Sequence, residues 1–295
     1  MKRLFLLILL LPALASGAED YSWWNQKHDW DGVTSWTSYL IVSPSYMGPN
    51  ALPVPEIQKG NLPAKRCLEL GVDGHYSRGD RTGNLFSELF LPLFSSRAGL
   101  GISYIPLELY STDTLTRDRR RSREYDPRGL SKGDVYFSTY VHLVRETGYL
   151  PDVLITINLR TASGTKFYGA RHTDGPGYYF DISAGKTFLD GDETLRLIRA
   201  YLLAGFYVFQ TNLENHMQND ALQYGAGVDL DFGIFRMEHQ LGGYAGYLGN
   251  GDKPVVYRLN MALLRNSNME LNLRFQHGLR DFPYSSLRLS TILKF

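Results

Sequence analysis

Residues 269–277 read MELNLRFQH, and every second side chain is apolar. Successive side chains of an extended chain point to opposite sides. Met269, Leu271, Leu273 and Phe275 therefore share one face, and Glu270, Asn272, Arg274 and Gln276 share the other. The pattern recurs from about residue 65 onward. Val255, Tyr257, Leu259, Met261 and Leu263 oppose Arg258 and Asn260, and Phe235, Met237 and Leu241 oppose Arg236, Glu238 and Gln240. Leu222, Tyr224, Ala226, Val228 and Leu230 oppose Gln223, Asp229 and Asp231. Val153, Ile155, Ile157 and Leu159 oppose Thr156, Asn158 and Arg160. A soluble sandwich turns its apolar face inward and seldom repeats a bulky, charged opposite face strand after strand. Segments of about ten alternating residues separated by turns are the signature of a transmembrane β-barrel.

The chain has no other way to cross a membrane. After the N-terminus its longest apolar run is YLLAGFYVF at 201–209, whereas a spanning helix needs about twenty such residues. In lipid, helices and closed barrels alone satisfy every backbone polar group. Alternating segments lie near 65–76, 85–93, 98–109, 134–146, 152–162, 177–188, 194–209, 221–231, 233–247, 255–265, 269–279 and 284–295. The expected fold is all-β: a transmembrane antiparallel up-and-down barrel of about twelve strands over 65–295, preceded by an irregular extension. An even count puts both barrel ends in the periplasm. The short connections near 94–97, 190–193 and 266–268 are then periplasmic. The connections 77–84, 111–133, 164–176, 210–220, 248–254 and 280–283 are extracellular.

Residues 1–18, MKRLFLLILLLPALASGA, carry two basic residues, a short apolar run and small residues at Ser16 and Ala18. That is the build of a secretory signal peptide cut after Ala18. Elsewhere the charge is balanced, with 31 basic against 30 acidic side chains, which argues against nucleic acid as a partner. A single cysteine, Cys67, rules out a disulfide framework and a cysteine-cluster metal site. No Gly-x-Ser-x-Gly, His-Glu-x-x-His or zinc-ligand spacing is present. Neither a metal nor a cofactor is expected.

The chain ends YSSLRLSTILKF, with Leu287, Leu289, Leu293 and Phe295 on one face. A terminal aromatic on an alternating last strand resembles the assembly signal of Gram-negative outer-membrane proteins. The resemblance implies an outer-membrane location and recognition of Phe295 by the barrel-insertion machinery. The segments 133–146, 151–166 and 174–188 (GDVYFSTYVHLVRE, PDVLITINLRTASGTK and DGPGYYFDISAGKTF) look like small transporter-like outer-membrane barrels found near aromatic-degradation genes. The chain is also similar to Bacteroidetes-type outer-membrane proteins. Both resemblances imply a barrel more than an activity.

All four tryptophans, Trp23, Trp24, Trp30 and Trp36, fall in the extension 19–64, which then turns rich in Pro and Gly. It reads as a periplasmic or plug segment anchored by its rings. The alternative is an aromatic platform for a sugar or for peptidoglycan. The predicted lumen mixes signs: Glu69, Asp73, Glu88, Arg160, Asp181, Arg199, Asp229, Arg236, Glu238, Arg258, Glu270, Arg274 and Arg288. Such a wall orients small hydrophilic solutes, or it fills a narrow barrel with ion pairs. Arg117, Arg119, Arg120, Arg121 and Arg123 form a basic loop able to bind anions, lipopolysaccharide phosphates among them. Its own acids could equally neutralise it. Asp73 and His75 share a strand face and make a candidate dyad for a hydrolase at the barrel rim. The lead expectation is passage of small solutes through a porin-like channel. A non-conducting scaffold or envelope-assembly barrel stands behind it, and the rim hydrolase third.

Overall fold

The computed structural model describes residues 20–94, 97–191, 194–263, 266 and 268–295. The expected signal peptide lies outside the described residues. Fourteen strands form one sheet: β1 Cys67–Ser77, β2 Asp80–Leu93, β3 Ala98–Tyr104, β4 Glu108–Thr112, β5 Arg128–Ser131, β6 Val135–Val144, β7 Asp152–Arg160, β8 Gly177–Asp190, β9 Leu197–Leu213, β10 His216–Asp231, β11 Arg236–Ala245, β12 Val255–Leu263, β13 Met269–Arg280 and β14 Ser285–Lys294. Twelve of them close into an antiparallel barrel, and β4 and β5 are additional. Closure is made by β1 against β14, with Cys67 opposite Lys294 and Asp73 opposite Arg288. Alternation holds around the wall. Leu70, Val72, Ile157, Phe206, Leu241, Leu287 and Leu289 are exposed on the outside, while Asp73, Asn158, Asp229, Arg258 and Ser290 are buried within. An apolar exterior over a polar interior inverts the soluble arrangement and suits a lipid surround.

The end bearing Cys67 and Lys294 is named the inner end and the opposite end the outer mouth, after the orientation expected of single-chain barrels. Two expected outer loops are instead tight hairpins. β1 and β2 are joined through 78–79, and β9 and β10 through 214–215. These strand ends are mostly polar (TNLENHMQND at 211–220), so no sustained alternation marks them as strand. The expected long loop 111–133 holds the end of β4, a short helix α1 at Thr114–Arg119 capped by the Asp113 side chain, and β5. Its strand follows from an open edge. β3 pairs with the inner half of β2, Ser87–Leu93. The outer half of β2 then offers unpaired backbone groups, and β4 covers them with Asp80 opposite Thr112.

Residues 40–66 run down the lumen from the outer mouth to the start of β1. At the mouth, Ser45 N–H donates to Gly251 O (3.3 Å) and Gly48 N–H to Ala170 O (2.8 Å). Lower down, the Tyr244 hydroxyl donates to Leu52 O (3.0 Å) and Arg258 to Pro55 O (2.8 Å). Near the inner end Arg199 donates to Lys59 O (2.9 Å), and Phe295 N–H donates to Arg66 O (3.0 Å). Pro53, Pro55 and Pro63 keep the segment extended and remove backbone donors. Its carbonyls cannot be satisfied by a neighbouring strand, so wall side chains satisfy them. Leu40, Val42, Met47, Ala51, Leu52 and Val54 pack with Phe209, Tyr244, Val256 and Tyr284 in the largest apolar cluster. Ile57 seats against Gly225 and Gly242, which are cross-strand partners. A Cβ at either glycine would come within 2.7 Å of the Ile57 side chain.

Residues 20–34 belong to a separate compact unit. Within it, a helical turn at Ser22–Lys27 buries Trp24, and the Trp30 indole donates to Thr34 O (2.8 Å).

Candidate functional site

The lumen brings the charged residues together in three layers. The outermost layer is a buried ion cluster. Arg171 reaches Asp80 (2.7 Å), Glu108 (2.9 Å) and the Thr82 hydroxyl (2.7 Å). Arg120 reaches the same Asp80 oxygen (2.6 Å) and the Tyr284 oxygen (2.6 Å). Two guanidinium groups against two carboxylates leave the cluster neutral, the condition under which buried charge is tolerated. Arg171 arrives because the connection 161–176 folds into the mouth through a 3-10 turn at Phe167–Gly169, flanked by Lys166 and Ala170 in left-handed backbone. A loop has no alternation, so nothing in the sequence signalled that Arg171 points inward.

The middle layer grips the luminal segment. Arg160 donates to Ala51 O (2.5 Å), and Arg258 holds Pro55 O together with Gln276 (2.7 Å). Arg199 bridges Lys59 O, Glu146 (2.8 Å) and Asp152 (2.7 Å). Asp181 is fully buried beside its register partner Thr156. Toward the inner end, Arg274 pairs with Glu56 (2.6 Å), Lys59 with Asp229 (3.1 Å) and with Glu238, Arg236 with Asp229 (3.3 Å), and Lys294 with Glu270 (2.8 Å). Glu88 lies opposite Glu69 in register, and both line the open space. The structure thus pairs most of the luminal charges expected from alternation, several of them with the chain's own N-terminal segment.

Asp73 and His75 are not bonded to each other. Arg288 holds Asp73 (2.5 and 3.0 Å) and lies over the Phe86 ring. His75 sits between Ser286 Oγ (2.7 Å) and Asn84 Oδ1 (2.8 Å), and Asn84 donates to Asp73 (2.8 Å). This polar chain ties β14, β1 and β2 together; of its members Arg288 alone lines the luminal cavity described next, and Asp73, His75, Asn84 and Ser286 do not. In the basic loop, Arg120 is buried in the outer cluster, Arg117 pairs with Asp118 (2.8 Å), and Arg119 and Arg123 lie over the rings of Tyr46 and Trp36. Arg121 takes a left-handed backbone after the helix. The Phe295 side chain is exposed at the end of the last strand. Among the described residues, no group of three or more His, Cys, Asp or Glu could hold a metal ion.

Beside the luminal segment lies a cavity of about 710 Å³. It extends from the inner end, at Cys67 and Lys294, toward Asn50 and Asp134. One wall is phenolic, with Tyr136, Tyr140, Tyr179 and Tyr207; across it lie charged groups including Arg274 and Arg288. Alternation placed the charges in the lumen. It put Tyr140 there too, on the face of His142 and Ser138, but gave the phenols no role, because Tyr suits a lipid interface as well as a polar wall.

No protein-family model matches the chain, and no curated protein matches it. Among solved structures, the COG4313 outer membrane channel from Pseudomonas putida F1 superposes with a TM-score of 0.54 at 12% identity, covering 83% of this chain and 97% of that one. The KdgM porin in complex with disordered oligogalacturonate gives a TM-score of 0.48 at 9% identity, over 77% and 99% of the two chains. The Crystal Structure of the Beta Domain of the Bordetella Autotransporter Brka gives 0.42 at 12%, over 78% and 99%. At such identities the likeness is one of architecture. Closed wall, inverted hydropathy and the superposition on the COG4313 channel agree: the chain has the fold of the outer-membrane β-barrels.

Proposed function

We propose that this protein is an outer-membrane channel for small hydrophilic solutes, with residues 40–66 as a resident plug and a mixed-charge lumen as the conducting path. The observation that carries the reading is the cavity of about 710 Å³, with polar and apolar walls, left beside the plug inside a closed barrel. A barrel of twelve strands is wider than the eight-stranded kind that side chains fill, so the remaining space is lumen. Besides its apolar contacts and the ion pairs of Glu56 and Lys59, the plug is held through its carbonyls by Arg160, Arg199, Arg258 and Tyr244. Hydrogen bonds from charged donors contribute about 1.5–3 kcal/mol each, enough to keep it seated and few enough for a segment to shift. In this reading the signal peptide exports the chain, Phe295 is read by the insertion machinery, and the outer loops face lipopolysaccharide.

Liposome swelling tests the reading. Reconstituted full-length protein should admit small sugars and amino acids faster than empty liposomes, with little preference between small anions and cations. Swelling at the rate of empty liposomes for every solute contradicts it. A second reading, a non-conducting scaffold of the envelope, is favoured by the packed outer mouth, where plug, inward loop and ion cluster meet. It predicts that empty-liposome result.

A further inference from the structure

The deep end of the cavity is lined by residues that carry polar atoms the fold leaves unmatched. Tyr136 on β6 is the register partner of Arg160 on β7, Asn158 on β7 of Tyr179 on β8, and Tyr179 of Tyr207 on β9. These residues form one continuous patch of luminal wall. Asp134, just before β6, borders it with Oδ2 4.0 Å from Arg160 Nε. Asp134 Oδ2, Tyr136 Oη, Asn158 Oδ1, Arg160 Nε and Tyr207 Oη are buried and have no hydrogen-bond partner among the described residues. Asp134 and Asn158 are 2% exposed and Tyr207 1%, yet Asp134, Tyr136, Asn158 and Tyr207 all border the cavity.

Two of these side chains are anchored at one end and unmatched at the other. Asp134 Oδ1 accepts from Gly164 N–H (2.6 Å), leaving Oδ2 over. Asn158 Nδ2 donates to Ser138 Oγ (2.6 Å), leaving Oδ1 over. Each unmatched buried polar atom costs about 1–3 kcal/mol, and the large majority of such groups in folded proteins are paired. Five on one patch bordering one cavity need a reason, and a ligand supplies it.

The chemistry of the patch narrows the ligand. It offers two acceptors, a carboxylate and an amide oxygen, and two hydroxyls able to give or take a proton. Around them stand four phenol rings, two of which, Tyr179 and Tyr207, meet edge to face at 6.0 Å. Asp134 beside Arg160 leaves the patch without net charge, so neither an anion nor a cation gains by entering it. The match is a neutral ring with vicinal hydroxyls on its edge and an apolar face. We propose that this patch is a saccharide-binding subsite for one pyranose-sized ring. Sugar hydroxyls donate to Asp134 Oδ2 and Asn158 Oδ1 and accept from Tyr136 and Tyr207, while Tyr140 and Tyr179 present rings to the apolar face. The cavity volume lies within the range of small-molecule sites. The subsite deepens the channel reading, on which it rests for access through the lumen; binding itself does not need the barrel to conduct.

The test uses the purified full-length barrel in an amine-oxide detergent, whose headgroup is not a sugar. Glucose and maltose are titrated by calorimetry and by saturation-transfer NMR, with acetate and lysine as controls. The expected result is saturable millimolar binding of a sugar, and no saturable binding of acetate or lysine. The double variant Tyr136→Phe/Tyr207→Phe removes two hydroxyls the protein does not use. It should weaken sugar binding about tenfold or more while thermal stability holds or rises. Asp134→Asn, which keeps an acceptor for Gly164, should weaken it too. The proposal is overturned if neither sugar binds saturably, or if both variants bind as the wild type does. Sugar binding without conductance leaves the subsite standing and removes the channel. Conductance without sugar binding does the reverse.

Discussion

Arg171 shows how much a single side chain can hold together. Its guanidinium is fully buried and joins β2, through Asp80 and Thr82, to β4, through Glu108. Removing one member of a buried, hydrogen-bonded ion cluster leaves the remaining charge uncompensated, at a cost of about 3–5 kcal/mol. Arg171→Met should therefore lower barrel stability by about that amount, read as a shift in the denaturant midpoint of the folded form on gels. Ser286→Ala removes one neutral partner of His75 and should cost about 1 kcal/mol. Equal and small effects of the two changes would mean that the outer cluster is ornamental. Residue roles were legible where a strand carried them. Arg160, Arg258 and Arg274 point inward because their neighbours two places away do. Arg171, on a loop with no period, gave no such sign, and Asp80 stood in what read as a loop.

At the scale of elements, the alternation of β1, β7, β12, β13 and β14 is plain because one face meets lipid and the other the lumen. It fades beyond the lipid, where β9 and β10 run on as a polar hairpin and β4 joins an edge left open by β3. The path of the plug was not legible either. An extended segment without a strand partner has no period, and its tethers come from residues more than a hundred positions away, such as Arg258 to Pro55.

One connection has its own pH signature. Glu146, in the turn between β6 and β7, accepts from Thr187 N–H and hydroxyl (both 2.9 Å) and from Arg199 (2.8 Å). Burial opposes ionisation, but these donors and Lys186 outweigh it and hold the carboxyl down to about 2. An unfolded glutamate titrates at about 4.3. A depressed folded value stabilises above the unfolded one, and the benefit is lost as pH falls toward the folded one. Glu146→Gln should lose about 1 kcal/mol at neutral pH, the scale of a solvent-screened pair. The deficit should shrink below about pH 4.5 and vanish near pH 2. A deficit independent of pH would assign the effect to shape rather than charge.

For the whole molecule, the direction of threading matters most. The barrel begins at the inner end, yet Trp36 stacks on Tyr168 (ring centroids 5.0 Å apart) in the inward-folded connection of the outer mouth. The chain just before the plug is therefore at the outer side. In a Cys67→Ser background, Ser35→Cys should react with a membrane-impermeant maleimide on intact cells. Tyr149→Cys, in an inner turn, should react after the outer membrane is opened. The reverse pattern would mean that the barrel sits the other way up.

The central claim is that a plug shares the lumen with a conducting cavity, and Ile57 offers the most direct handle on it. Gly225→Val places a side chain where Ile57 now sits, with the first added carbon 2.7 Å from it. Valine suits a strand, so the wall should survive while the plug loses its seat. In planar bilayers the account predicts small, intermittent openings for the wild type and a larger, longer-lived conductance for Gly225→Val. A folded Gly225→Val barrel whose current matches the wild type, or stays at the bare-membrane baseline, would contradict it.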